Sequence, residues 1–161
     1  MLNSINMENI FFESKVMWSQ IDSNNHLRHS AYADFGAQAR LEVLSKFGFD
    51  SILLKKLNMG PIIFREELIY LREVSPADTV KVSCEMSSCR RDGSRWSFTQ
   101  TIYKGDGIKA ALINVEGAWM DIEKRKLTAL PPEWALALMD IPKSIDFILE
   151  EVPEKKPDPI K

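Results

Sequence analysis

Cysteine is nearly absent: among 161 residues only Cys84 and Cys89 carry thiols. Two thiols five residues apart make neither a disulfide framework nor the paired spacing of a zinc site, so a bridge-stapled secreted scaffold is excluded. An odd separation along one strand would put them on opposite faces. Two reduced strand thiols fit a cytoplasmic home. Charge of one sign is also lacking: 21 Lys and Arg against 23 Asp and Glu leave a net −2. A nucleic-acid partner needs a concentrated basic face, which that balance does not supply. A small anionic ligand needs only a few local Lys or Arg. No apolar run reaches the roughly 20 residues that cross a bilayer. The first basic residue is Lys15 and Ile10-Phe11-Phe12 is short, so no signal peptide is read at the start and no membrane partner is expected.

What is present is the mixture of an ordinary globular chain, 45% hydrophobic and 27% charged. A chain of this length buries roughly 70% of its unfolded surface, enough for a core without metal or disulfide support. Residues 1–8 read as a loose extension. Residues 9–18 read as a first strand, followed by a polar loop to His26. Ser30 is an expected N-cap for a long helix to about Phe47, with Tyr32, Phe35, Gly36, Ala39, Val43 and Phe47 at helical spacing. The face is rich in small residues, which lets a helix lie tight against a sheet.

After a short helical stretch at 51–57, the period changes to two. Strands are expected at about 61–72, 79–90, 95–104 and 108–122. The turns Arg91-Asp92-Gly93-Ser94 and Lys104-Gly105-Asp106-Gly107 make the last three an antiparallel meander. Pro131-Pro132 opens a short helix. Ile145, Ile148, Leu149 and Val152 fall at helical spacing, so residues 141–152 are expected to form an amphipathic C-terminal helix. The proline-rich, charged segment 153–161 reads as disordered. The class is α+β, with one main domain over residues 9–140.

The chemistry-bearing residues concentrate in one place. Both histidines, His26 and His29, sit in the loop entering the long helix, and Asp22 precedes His26 by four residues. Spacing alone leaves three readings open. Asp22 can activate water or attack a carbonyl, while the unpaired N–H groups and positive dipole end of the helix receive the developing negative oxygen. Asp22, His26 and His29 can bind a metal, although no third ligand geometry is assured in a loop. Or Asp22 simply closes an Asx turn and the histidines cap backbone groups.

The run from Val16 through Trp18, Asp22, His26, His29 and Tyr32 to Arg40 resembles, without a gap, the opening motif of hotdog-fold acyl-CoA thioesterases, in particular the hydroxybenzoyl-CoA thioesterase-like branch. That motif reads roughly Gly-Asp-x-Asp-x-x-Gly-His-Val-Asn-Asn-x-x-Tyr and closes on Ala-Arg. Its catalytic second aspartate falls on Asp22, its histidine on His26, its tyrosine on Tyr32 and its arginine on Arg40. Weaker likeness extends over residues 9–135. Four positions depart: Gln20 replaces the first aspartate, Asn25 the glycine, and Arg28-His29 the asparagine pair at the pocket mouth.

The resemblance implies a five-stranded, mostly antiparallel sheet wrapped around a long helix, with short C-terminal helices. It implies a homodimer or dimer of dimers, with sites between subunits. The activity implied is hydrolysis of an acyl thioester on coenzyme A or an acyl carrier. Coenzyme A then belongs to the substrate, and no other cofactor or metal is called for. Asp22 is the implied base or nucleophile, the backbone N–H near His29 holds the carbonyl oxygen, and His26 orients Asp22 or the carbonyl. Asn25, Arg28 and Tyr32 line the pocket. Arg90 and Arg91, or Lys124-Arg125-Lys126, are candidates for the coenzyme A phosphates. Trp96, Phe98, Trp119 and Met120 are candidates for an acyl tunnel, or simply core. The changed asparagine pair motivates a rival reading, a non-catalytic binder of acyl thioesters or small ligands; a hotdog dehydratase is a further alternative.

Overall fold

The computed structural model describes residues 8–154. Most of the loose extension and of the tail expected from the sequence lies outside these residues. The chain runs through β1 (Ile10–Lys15), a 3-10 turn at Trp18–Gln20, α1 (His29–Lys46), α2 (Ser51–Leu57), β2 (Met59–Tyr70), β3 (Thr79–Ser83) and β4 (Glu85–Arg90). It continues through β5 (Arg95–Tyr103), β6 (Lys109–Asp121), β7 (Lys126–Thr128), α3 (Pro132–Leu138) and β8 (Lys143–Glu150). β2 pairs with β6, β6 with β5, β5 with both β3 and β4, and β3 with β1, all antiparallel. The expected five strands are β1, the β3–β4 pair, β5, β6 and β2. β7 and β8 are additions.

α1 lies across the inner face of this sheet and buries Ala31, Tyr32, Phe35, Gly36, Ala39 and Val43. The small residues work as expected. A Cβ on Gly36 would stand 2.6 Å from Ile113 Cδ1, so the helix backbone touches the sheet directly there. Gln100, fully buried on β5, donates from Nε2 to the Gly36 carbonyl at 2.9 Å and accepts from Arg40 Nη1 at 2.8 Å. Arg40 Nη2 lies 3.0 Å from Glu66 Oε2 on β2. One helix is thus tied to two strands, through the buried Gln100 and Arg40 and the half-buried Glu66.

Three expectations need correction. The strand predicted at 79–90 breaks at Cys84, and a β-bulge between Met86 and Ser88 inserts an extra residue. The bulge reverses the alternation. Cys89 therefore points inward like Cys84, and both are buried rather than on opposite faces. Burial pushes each thiol up to about 12.

The C-terminal helix predicted over 141–152 is instead strand β8, parallel to β4. Its supposed helical stripe, Ile145, Ile148, Leu149 and Val152, is exposed, and Phe147 is the residue that packs on the core. Four apolar residues in a short window fit either period, and the free edge of β4 supplied the hydrogen bonds that decided it. Ser30 is not the N-cap: Arg28 is, in extended conformation and without a side-chain cap. The Arg28 N–H is held by the Gln20 carbonyl at 2.8 Å, which keeps the chain extended to that point.

Replacing Gln100 by Leu leaves Arg40 Nη1 without its acceptor in the core, while Arg40 keeps Glu66 and the Gly36 carbonyl keeps its helical bond. Such a loss costs about 1–3 kcal/mol. Gln100→Leu is expected to lower unfolding free energy by about 1–3 kcal/mol in urea titration, with an unchanged m-value.

Candidate active site

The loop between β1 and α1 is held by hydrogen bonds within itself and to its flanks. Ile21 bridges Leu27, and the Asp22 N–H donates to the His26 carbonyl at 2.8 Å. Asn25 closes the turn, donating its N–H to the Asp22 carbonyl at 3.0 Å. Its φ of 61° is left-handed, the conformation that glycine adopts freely and asparagine tolerates best among the rest. The motif glycine thus has a conformational reason, and Asn25 meets it.

Gln20 explains another departure. It is buried, its Oε1 accepts the Met17 N–H at 2.9 Å, and its carbonyl accepts the Arg28 N–H. The side-chain amide holds the start of the loop, and the backbone carbonyl of the same residue holds its end.

Asp22 is held by its backbone and by one oxygen. Oδ1 accepts the N–H of Asn24 at 2.9 Å and of His26 at 3.1 Å. Oδ2 has no hydrogen-bond partner among the described residues. The Asx turn expected from the sequence is therefore formed, and it uses one carboxylate oxygen and leaves the other. Directly after the loop α1 begins. The N–H groups of His29 and Ser30 have no acceptor among the described residues, as the start of a helix without a capping side chain requires.

Asp22, His26, His29 and Tyr32 line one open cleft of about 360 Å³, together with Leu27 and the segment Tyr70-Leu71-Arg72-Glu73. His26 Nε2 lies 3.7 Å from Glu73 Oε2. The Tyr70 ring meets Tyr32 edge-on, centroids 5.2 Å apart at 84°. Burial, then the nearby Tyr70, Asp22 and Glu73, raises the Tyr32 phenol above its ordinary value. It stays a neutral hydroxyl at physiological pH.

The 70–73 segment was not legible as part of the site. Alternation shows that a strand is there, but not which strand end meets the helix start. The contact is made by tertiary pairing, with the Val74 carbonyl accepting the Leu27 N–H at 2.8 Å.

Other candidates are placed elsewhere. Asn25 lines an adjoining groove with Trp18, Ser19, Ile21 and Ser23, which shares Asp22 with the cleft. The Arg28 guanidinium turns to Ser30 and, at 4.0 Å, to Asp34. Arg90 and Arg91 sit at the β4–β5 turn. In register that turn lies beside Ala118 and Ile62, whereas Tyr70 lies beside Ala111 and Ile102 at the other end of the sheet. Within one chain they do not reach the cleft, and they face Glu150 and Glu151 respectively. Arg72 is the arginine in the cleft wall. Trp96, Phe98 and Trp119 are core residues. Among the described residues, no three His, Cys, Asp or Glu side chains gather as a metal site requires.

A long helix wrapped by an antiparallel sheet, with a carboxylate loop at its N-terminus, defines the hotdog class. Solved structures agree on the fold. DHNA-CoA thioesterase from Staphylococcus aureus superposes with a TM-score of 0.73 at 21% identity, covering 80% of this chain and 87% of that one. A hypothetical protein from Staphylococcus aureus, determined in complex with CoA, gives 0.76 at 19% identity, covering 94% and 96%. The 1,4-dihydroxy-2-naphthoyl-CoA thioesterase from Synechocystis gives 0.70 at 14%, covering 80% and 94%. No curated protein matches the sequence. The family model of the thioesterase-like superfamily matches residues 16–138. The chain belongs to that superfamily and is thereby grouped among thioester hydrolases.

The left-handed turn can be tested directly. Asn25→Gly is expected to leave stability within about 1 kcal/mol, since glycine adopts the turn freely. Asn25→Val should cost about 1–2 kcal/mol through its Cβ. Thermal unfolding of the two variants side by side reads the difference.

Proposed function

We propose that this protein hydrolyses an acyl thioester carried on coenzyme A, with Asp22 assisting attack on the thioester carbonyl. The observation that carries the reading is the division of labour at Asp22: one oxygen immobilised by two backbone N–H groups, the other free beside a helix start whose first N–H groups lack acceptors. A pinned carboxylate acts without the entropy of searching, and pre-placed N–H donors stabilise the oxyanion as charge develops.

The atoms balance as follows. Asp22 takes a proton from water as the water oxygen bonds to the carbonyl carbon, and the carbonyl oxygen becomes negative at the helix start. The tetrahedral centre collapses, the C–S bond breaks, and the proton passes from Asp22 to the departing thiolate. Direct attack by the carboxylate, followed by hydrolysis of the mixed anhydride, reaches the same products. His26, held toward Glu73, and His29 flank the carbonyl, while Tyr32 lines the acyl side.

Two copies are proposed to pair along β2. Among the described residues that strand pairs only with β6, and it exposes Ile63, Phe64 and Ile69 along its length. Buried, unpaired thiols accord with a reducing, cytoplasmic setting. No helix among the described residues is long and apolar enough to cross a membrane.

Asp22→Asn keeps the acceptor for both N–H groups and removes the base. Turnover of an acyl-CoA panel, followed by free-thiol release, is expected to fall by about 10²-fold or more, with the fold intact by circular dichroism. Hydrolysis at the parent rate would remove Asp22 from its role. Tight binding of acyl-CoA with no thiol released by the parent protein would favour the non-catalytic binder.

A further inference from the structure

The segment that closes β2 touches the site twice. The Val74 carbonyl holds the loop through Leu27, and the Tyr70 hydroxyl donates to the His29 carbonyl at 3.3 Å. The second contact falls on a particular peptide unit. The carbonyl of His29 and the N–H of Ser30 are the two ends of one planar amide, and that N–H is among the helix-start donors without an acceptor.

A hydrogen bond accepted at one end of an amide polarises it and strengthens the donor at the other end. The strand places the hydroxyl well. The N–H groups of Leu71 and Arg72 both donate to the Ala110 carbonyl, at 2.8 and 3.0 Å, which turns the chain immediately after Tyr70. The edge-on Tyr32 ring braces the phenol from the side.

We propose that Tyr70 is a positioning residue: through the His29 carbonyl it orients and polarises the His29–Ser30 amide, so that the Ser30 N–H is a stronger donor to the substrate carbonyl oxygen. This rests on the reading of the helix start as the seat of that oxygen. The polarisation itself does not depend on it. Tyr70 touches no reacting atom, and its effect belongs to the oxyanion rather than to ground-state binding.

Tyr70→Phe keeps the ring and its contact with Tyr32 and deletes one O–H. The donor is weakened but not removed, so the loss should stay well below the 10²–10³ of a deleted oxyanion donor. A fall in kcat of about 3- to 10-fold is expected, with KM within about twofold, because the donor acts in the transition state. In the same variant the Ser30 amide nitrogen resonance is expected to move upfield relative to its neighbours along α1, as a peptide that has lost a bond at its carbonyl does.

An unchanged kcat in an active enzyme, or a change confined to KM, would overturn the proposal. So would an unmoved Ser30 resonance. If the parent protein releases no thiol from any acyl-CoA, the hydrolase reading fails while the resonance still decides whether Tyr70 controls the Ser30 amide.

Discussion

The contact on which the rest depends is the clamp of α1 to the sheet through Gln100. That side chain is fully buried and answers the helix twice, at the Gly36 carbonyl and at Arg40, while Arg40 reaches across to Glu66 on β2. Apolar packing alone lets a helix slide, because one methyl group substitutes for another at small cost. Buried polar groups do not allow it, since each shift leaves an unmet donor or acceptor. The glycine at position 36 lets the backbone come close enough for the bond to form. With α1 fixed in this way, its first turn is delivered to the end of β2 and to the loop that carries Asp22.

The loop itself joins a structural turn to the proposed chemistry. Its turn is held by the same Asp22 oxygen that would otherwise be free to rotate. The two departures nearest this loop are absorbed by physical equivalents: Asn25 takes the left-handed conformation of a glycine, and Gln20 makes the clamp with an amide. The change to Arg28 and His29 is different in kind. Arg28 becomes the extended residue before the helix with its side chain turned to the surface, and His29 joins the cleft wall. The pocket mouth is therefore where this chain differs chemically from the motif it resembles.

Much of this was legible from the residues. The long helix, its small-residue face, the meander and the Asp-Gly turns follow from period and turn chemistry, and the ungapped motif located Asp22, His26 and Tyr32 in one cleft. What was not legible has a common cause. β8 is strand because β4 has an open edge, and Cys89 faces inward because a bulge shifts the register. The Tyr70–Glu73 wall comes to the site because β2 ends opposite the helix start. Each is settled by pairing between distant segments, which local spacing does not encode. The arginines at 90 and 91 were favoured by charge alone, and the fold spends them on Glu150 and Glu151 at the far end of the sheet.

The central claim is geometric: the reacting carbonyl sits between the free oxygen of Asp22 and the first N–H groups of α1. A crystal structure with a non-hydrolysable thioether or ketone analogue of an acyl-CoA tests it most directly. The account predicts the analogue's carbonyl-position oxygen within hydrogen-bond distance of the His29 or Ser30 N–H, and Asp22 Oδ2 or a water bound to it facing the adjacent carbon. An analogue bound with that oxygen turned away from the helix start, and Asp22 in contact only with bulk solvent, would contradict it.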